Sequence, residues 1–174
     1  GVEVRIVDEE GADVPRGKVG EIVYRGPTVM QGYHGKPEAT AEAFAGGWFH
    51  SGDLVREDEE GFIYVVDRLK DMLISGGENV YPAEVERTLV EHPGVVEVAV
   101  VGIPHERWVE TPLAVVVAAP GVEVTEDELI ALCRERLAGY KKPSAVVFVD
   151  ELPRNAAGKV LKRTLRQRYA DAAA

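Results

Sequence analysis

Lys159 is the residue whose type and setting point most directly to chemistry. It ends the small segment Asn-Ala-Ala-Gly-Lys (155–159), just before a basic helical pattern. A lysine ammonium group is a compact cation that suits phosphate oxygens and negative charge developing in a transition state. Such a loop is expected to be flexible and to pack poorly, so that Lys159 can reach into a cleft. A surface lysine without a function remains the more common interpretation.

Asp53 is a second candidate, in the stretch GWFHSGDL (47–54). The two oxygens of one carboxylate can accept hydrogen bonds from both hydroxyls of a ribose diol. The preceding Ser51 and Gly52 are small enough to let the sugar come close. Taken alone, the stretch is more typical of a turn that contains an aspartate.

The stretch DRLKDMLISGGENVYPAEVE (67–86) combines charge with a Gly-Gly pair. Charged side chains at its start, which include Arg68 and Lys70, are stable only when exposed or paired. A polar linker explains them equally well. Gly76 and Gly77 fit the tip of a hairpin, or a place where a ligand passes close to bare backbone.

Trp108, Tyr140 and Lys142 form a third group of candidates, in GIPHERWVE (102–110) and GYKKP (139–143). An exposed tryptophan can act as a stacking platform for a base. Packing at a strand edge and ordinary surface lysines are the competing interpretations.

Charge and cysteine content limit the function classes. The chain has 174 residues and a net charge of −10, which argues against nonspecific binding of nucleic acid or of an anionic membrane. Residues 134–168 are basic nonetheless, which suits a small polyanion or a solvated helix face. Cys133 is the single cysteine, so that no intrachain disulfide can form and a cytoplasmic location fits. The pattern around Cys133 predicts a buried thiol, no apolar run is long enough to span a bilayer, and we assign no metal site to the chain.

The elements that position these residues fall into two parts. Residues 1–67 are predicted to be β-rich, with alternating patterns at 2–8, 19–26 and 61–67 and a short helical turn at 36–44. The alternation starts at the second residue, and from this we expect a piece of a longer chain.

The second part is predicted to be a compact α+β module. It contains a hairpin around Gly76-Gly77, a helix opened by Pro82 and a helix with a capping box of Thr125 and Glu128. Buried strands are predicted at 95–103, 112–119 and 145–150, which gives a three-stranded sheet beside the hairpin. A final helix is predicted from about Val160, with Leu161, Leu165 and Tyr169 on one face, and the terminal Ala-Ala-Ala is expected to fray.

In their order along the chain, these stretches resemble the adenylate-forming enzymes: acyl-CoA synthetases, firefly luciferase and the adenylation domains of peptide synthetases. The resemblance rests on GEIVYRGPTVMQGYHGKPEAT, GWFHSGDL, DRLKDMLISGGENVYPAEVE and LPRNAAGKVLKR and covers nearly the whole chain. Glycine at position 76, followed by ENVYP, favours the fatty-acyl- and aryl-CoA synthetase branch.

The resemblance implies a reaction and a domain organisation. A carboxylic acid attacks Mg-ATP to give an acyl-adenylate and diphosphate, and CoA then takes the acyl group and releases AMP. The implied setting is cytoplasmic fatty acid metabolism. Residues 1–67 would end the large N-terminal domain, 68–70 would form the hinge, and 71–174 would form a mobile C-terminal domain.

It also implies a role for each candidate residue. Asp53 and Arg68 would bind the nucleotide, and Lys70 would be the hinge residue. Lys159 would be catalytic, bridging the substrate carboxylate and the α-phosphate. The residues implied in CoA binding are Gly76, Gly77, Trp108, Tyr140 and Lys142.

Several expectations follow from what the sequence does not contain. The phosphate loop, the Mg²⁺ site and the acyl pocket would belong to a preceding segment, so the chain alone should be inactive and its acid cannot be named. Two other functions stay open: an adenylation domain that loads a carrier protein, and a non-catalytic α+β binding module. Open strand edges in residues 1–67 favour either disorder or pairing between chains, so a homo-oligomer also stays open.

Overall fold

The chain divides after Lys70 into two compact units. The computed structural model describes residues 1–170. We call Gly1–Lys70 the N-terminal unit and the part that begins at Asp71 the C-terminal unit. The predicted fraying of the last three alanines lies outside the described residues. The assignment of the two units to a large and a small domain remains a proposal.

The N-terminal unit is a four-stranded antiparallel sheet in the order β1-β2-β3-β4. Its strands are Glu3–Val7, Val19–Arg25, Phe49–Glu57 and Ile63–Arg68, and a short helix, α1, covers Pro37–Ala43. Three strands and the helical turn confirm the sequence prediction. Strand β3 was missed, because its Ser-Gly-Asp centre is typical of a turn and Gly52 has a φ of +71°.

The N-terminal unit buries little apolar surface within itself. Its buried apolar side chains are Val7, Ile22, Val23, Leu54 and Val55. Along the edge strand β4 and the turn before it, large apolar side chains stay exposed: Phe62, Ile63, Tyr64 and Val65.

The C-terminal unit contains a five-stranded sheet. Its strands are β5 (Leu73–Ser75), β6 (Glu78–Val80), β7 (Val95–His105), β8 (Val109–Ala118) and β9 (Ala145–Phe148). Neighbouring strands are antiparallel except that β9 runs parallel to β8. The predicted three strands and hairpin are all present, and the β5–β6 hairpin joins the same sheet where Ser75 pairs with Val109.

Helices cover both faces of this sheet. Helices α2 (Pro82–Val90) and α3 (Glu126–Arg136) bury Leu89 and Leu129 against residues such as Val100. On the other face, Leu165 of α4 (Lys162–Arg168) packs with Val101 and its neighbours. Because side chains alternate along a strand, β7 and β8 supply both cores.

The helix ends agree with the sequence prediction. Pro82 is the first residue of α2, and Thr125 with Glu128 forms the predicted capping box of α3. Helix α4 begins two residues later than predicted, at Lys162. Cys133 is buried as predicted, and burial raises the pKa of its thiol to about 11. Within residues 1–170, no helix is long and apolar enough to cross a membrane.

Candidate functional site

A pocket of about 400 Å³ in the C-terminal unit contains most of the residues predicted to bind CoA. We call it the Trp108 pocket. Gly76, Trp108, Tyr140 and Lys142 all line it, although they come from three separate stretches of the sequence. Gly77 is not among the lining residues. The remaining lining residues are Ser75, Glu78, Thr111, Gly139 and Ser144.

Backbone contacts hold the hairpin tip against the turn that carries Trp108. The Gly76 N–H donates to the Trp108 carbonyl at 3.1 Å. Gly76 and Gly77 have φ values of +61° and +87°, a conformation that favours glycine. A Cβ added at Gly76 would lie 3.8 Å from Trp108 Cδ1. Glycine at this position therefore leaves bare backbone beside the indole ring.

Trp108 is fixed on one face and is partly accessible to solvent. Its ring stacks on His105 with centroids 4.5 Å apart and an interplanar angle of 12°. The Nδ1 atom of His105 accepts hydrogen bonds from the backbone N–H groups of Arg107 and Trp108. Trp108 as a residue is 39% exposed, so its indole offers a stacking surface with a defined orientation.

The two lysines beside Tyr140 have different surroundings. Lys141 Nζ donates to both carboxylate oxygens of Glu84, at 2.8 and 2.7 Å. Lys142 lines the pocket, and no ion pair or hydrogen bond of its ammonium group is found within residues 1–170. Lys142 is therefore the lysine of this pair that is available to an anion.

Sequence reasoning missed the hydroxyl groups of the Trp108 pocket. Ser75, Thr111 and Ser144 all contribute to its lining, and Ser75 and Thr111 are almost fully buried. The sequence gives little signal for them, because Ser75 stands beside Gly76, Thr111 beside Pro112 and Ser144 beside Pro143, where serine and threonine are common turn residues.

Asp53 and Arg68 lie opposite each other on β3 and β4 of the N-terminal unit. Arg68 Nε is 2.9 Å from Asp53 Oδ1, and both side chains are partly exposed. The backbone N–H of Arg68 donates to Asp67 Oδ1 at 2.7 Å. No partner of Asp53 Oδ2 is found among the described residues, so this oxygen is open to a ligand hydroxyl.

A bulge in β3 sets the position of Asp53. Glu21 Oε2 accepts from His50 Nδ1 at 2.7 Å, and Oε1 accepts from the Gly52 N–H at 2.8 Å. The Ser51 hydroxyl donates to the Ile22 carbonyl and accepts from the Asp53 N–H. Sequence reasoning missed Glu21 and His50, whose partners lie about thirty residues away along the chain.

The turn that carries Lys159 corrects the expectation of a flexible loop. Asn155 Oδ1 accepts from the backbone N–H groups of Ala157 and Lys159, at 3.0 and 2.9 Å. The Gly158 N–H donates to the Asn155 carbonyl, and Gly158 has a φ of +80°. The Arg154 guanidinium donates hydrogen bonds to the Gly158 carbonyl and to the Glu97 carboxylate, each at 2.7 Å. We call residues 154–160 the Lys159 turn; Lys159 is exposed on it.

Several of the other cations near the C-terminus have partners. Lys162 pairs with Glu86 at 2.7 Å, and Arg166 lies 3.4 Å from the buried Asp71. By contrast, no ion pair or hydrogen bond of Lys159 Nζ is found within residues 1–170. Lys70 is exposed in a short 3-10 turn, Leu69–Asp71, at the end of the N-terminal unit.

Two family models match the chain. Residues 84–159 match the AMP-binding enzyme C-terminal domain, and residues 1–34 match the AMP-binding enzyme family. The chain belongs to the AMP-binding enzymes. The resemblance to adenylate-forming enzymes is thereby confirmed.

Named relatives agree with this family. The chain is 55% identical over 167 residues to a feruloyl-CoA synthase of an Amycolatopsis species, covering 96% of the chain and 34% of the relative. It is 52% identical over 159 residues to a 2-succinylbenzoate–CoA ligase of Geobacillus kaustophilus, covering 91% and 32%.

A solved structure agrees as well. The crystal structure of ATP-bound MatB from Rhodopseudomonas palustris aligns with a TM-score of 0.93 and 43% identity, covering all of this chain and 35% of that one. The chain thus spans about a third of the length of the relatives it matches, and it corresponds to the C-terminal part of such enzymes.

Proposed function

We propose that the chain is the C-terminal portion of an AMP-forming acid–thiol ligase. The reaction converts a carboxylic acid, ATP and CoA to acyl-CoA, AMP and diphosphate through an acyl-adenylate. The observation that supports it most is the Trp108 pocket, where two aromatic side chains, a lysine without a partner in residues 1–170 and bare glycine backbone converge. We expect the chain to be inactive without a preceding segment.

In the adenylation step, an oxygen of the substrate carboxylate bonds to the α-phosphorus of ATP and diphosphate leaves. The two anions repel each other, and a preorganised cation between them stabilises the transition state. Lys159 supplies that cation, because its ammonium group is exposed on an ordered turn. Asp53 accepts from the ribose hydroxyls, and Arg68 supports the ribose and the phosphate.

No step of this reaction is assigned to a metal held by the chain. Within residues 1–170 there is no group of three or more His, Cys, Asp or Glu side chains that could hold a metal ion. Mg²⁺ bound by a preceding segment remains a prediction from the resemblance.

In the second step, the CoA sulfur attacks the acyl carbonyl carbon and AMP leaves. Trp108 and Tyr140 provide aromatic surfaces for the adenine ring, and Lys142 provides a cation for a phosphate group. The backbone at Gly76 and Gly77 lets the pantetheine chain pass close to the hairpin. Lys70 would be the hinge whose backbone torsion changes between the two steps.

Free CoA fits these residues better than a carrier-bound arm. A phosphopantetheinyl arm has no adenine ring and no 3′-phosphate, and so leaves Trp108, Tyr140 and Lys142 without a ligand. A non-catalytic binding module is disfavoured because the exposed Lys159 and the partly exposed Asp53–Arg68 pair are not needed for packing.

The acid is proposed from the relatives. Feruloyl and 2-succinylbenzoate both contain an aromatic ring, so we propose an aromatic carboxylic acid as substrate. These relatives do not support the expectation of fatty acid metabolism. A cytoplasmic location remains a prediction, and cell fractionation would test it.

The test is to assay both half-reactions in the full-length protein with ferulate, 2-succinylbenzoate and a long-chain fatty acid. Trp108→Ala and Lys142→Ala should each raise the KM for CoA by roughly tenfold or more while leaving acyl-AMP formation unchanged. Stacking of a base on an aromatic ring contributes about 1–3 kcal/mol, and a hydrogen bond to a charged group contributes about 1.5–3 kcal/mol. Arg163→Ala, a change of an exposed cation on α4, is the control and should alter neither step.

Each alternative function has its own outcome. Transfer of the acyl group to a carrier protein but not to CoA would favour the loading domain. Absence of acyl-AMP with every acid would favour the binding module.

A further inference from the structure

Glu21 has a partly buried carboxylate. Its link to Asp53, the proposed nucleotide residue, is a hydrogen bond from the backbone N–H of Gly52. Its side chain is 12% exposed and accepts from two donors of β3, the His50 ring and the Gly52 N–H. Asp53, the residue that we propose to hold the ribose, directly follows Gly52.

The strand pairing explains why such an anchor is needed. Leu54 pairs with Glu21 and His50 pairs with Val23, so Ile22 of β2 faces three residues of β3, namely 51–53. Residues in a bulge lose their ladder hydrogen bonds. The Gly52 N–H therefore needs another acceptor, and Glu21 Oε1 provides it at 2.8 Å.

The anchor limits the conformations of the bulge. Gly52 has a φ of +71°, and its neighbour Ser51 is held by the Ile22 carbonyl. Because Ser51 and Gly52 are both fixed, the backbone of Asp53 has a defined position. The Asp53 carboxylate lies 2.9 Å from Arg68 Nε. Without Glu21, the Gly52 N–H would lack its acceptor, and the bulge could rearrange and carry Asp53 with it.

We propose that Glu21 is a positioning residue for ribose recognition: it fixes the Ser51–Asp53 bulge so that Asp53 can accept from both ribose hydroxyls. This inference rests on the proposed function, since it takes Asp53 as the ribose ligand. It adds a residue that contacts no substrate and yet sets the preference for a ribonucleotide.

The preference for ATP over 2′-deoxy-ATP in acyl-AMP formation separates positioning from simple stabilisation. In the full-length wild type we expect the ratio of kcat/KM values to be roughly tenfold to a hundredfold, because one charge-assisted hydrogen bond is lost with the deoxynucleotide. Glu21→Ala should lower this ratio almost to the value of Asp53→Ala. A merely structural role would reduce both nucleotides equally and leave the ratio unchanged.

Other variants keep the test specific. Glu21→Gln should retain most of the preference, because its amide oxygen can still accept from the Gly52 N–H. Glu21→Asp keeps the charge, but its side chain is shorter by one methylene group and should not reach the Gly52 N–H. It therefore replaces Glu21→Ala in the test if that variant does not fold. Glu57→Ala removes another β3 ion pair, to Arg16 at 3.0 Å, and should leave the ratio unchanged.

The outcomes separate the two proposals. An unchanged ratio in Glu21→Ala and Glu21→Asp, with the preference lost in Asp53→Ala, would overturn the role of Glu21 alone. A preference that survives in Asp53→Ala would overturn the ribose assignment and this inference with it. Faster amide exchange at Gly52 in Glu21→Ala, but not in Glu57→Ala, would support the anchor independently of activity.

Discussion

The ammonium group of Lys159 has no partner among the described residues, whereas three nearby cations do. Arg154, Lys162 and Arg166 each lie close to an acidic side chain. Those three cations help to hold the last helix and the Lys159 turn on the C-terminal unit. The ammonium group of Lys159 is therefore available to bind an anion. Removing the Lys159 side chain should cost little stability.

Replacing Lys159 by alanine should separate the two half-reactions. Acyl-AMP formation should slow by about 10²–10³-fold, the usual effect of losing one preorganised electrostatic group. Thioester formation from supplied acyl-AMP should be largely unchanged. The melting temperature should not move, because the side chain is exposed. Single-turnover kinetics of each step measure this, with Arg163→Ala as the control, and an equal loss in both steps would contradict the assignment.

Motifs in the sequence indicated four of the residues that line the Trp108 pocket, but they could not predict the contacts. Lys141 and Lys142 are adjacent and look equivalent in the sequence, yet Lys141 is paired with Glu84, 57 residues away. Glu21 and Gly52 likewise meet only because β2 and β3 are neighbours. Such pairings depend on tertiary structure, which local patterns do not specify.

At the scale of elements, the Lys159 turn depends on Asn155. Replacing Asn155 by alanine removes the acceptor for two backbone N–H groups. The turn should loosen, and acyl-AMP formation should slow by roughly tenfold, less than in Lys159→Ala, because the cation is present but less well placed. Asn155→Asp keeps an acceptor and should behave like the wild type. Rates equal to wild type for Asn155→Ala would show that the turn does not need this bond.

The capping box of α3 gives a prediction about pH. Hydrogen bonds from the Thr125 backbone N–H and hydroxyl hold the pKa of the Glu128 carboxyl below its ordinary value. The ionised form is therefore stabilised by folding, and its contribution is present above the ordinary pKa of about 4.3 and is lost as the pH falls below it. Thr125→Ala should cost about 1 kcal/mol at pH 7.

Urea unfolding at several pH values measures how much the ionised Glu128 carboxylate contributes to the free energy of unfolding. The difference between wild type and Glu128→Ala should shrink in acid. Val122→Ala, at an exposed position outside the helix without a titratable group, is the control and should show no such pH dependence. A constant difference for Glu128→Ala across this range would contradict the charged cap.

Elements with regular patterns were predicted well, and the irregular one was not. Alternation and capping residues indicated β1, β2, β4, the hairpin and the helices, because these signals are local. Strand β3 contains a bulge with Gly52 in a left-handed conformation, which interrupts the alternation. The irregularity coincides with the proposed nucleotide residue, so the feature that hid the strand also positions Asp53.

At the scale of the whole molecule, the two units differ in how they bury apolar side chains. The C-terminal unit has a core on each face of its sheet, with Leu129 and Leu165 fully buried. The N-terminal unit leaves Phe62 and Val65 60% and 67% exposed. Because burial of apolar surface is the main stabilising term in folding, the C-terminal unit should be the more stable of the two.

The 174-residue chain should therefore unfold in two steps, with the N-terminal unit first. Hydrogen exchange during urea titration should show early loss of protection in β1–β4 and later loss in β7 and β8. Leu129→Ala creates a cavity in the C-terminal core and should lower the free energy of the second step by about 2–5 kcal/mol, leaving the first step in place. Val65→Ala, at an exposed position of β4, serves as the control and should leave the second step unchanged. A single cooperative transition with equal protection in both units of a monomer would mean that the N-terminal unit draws its stability from interactions other than its own small core.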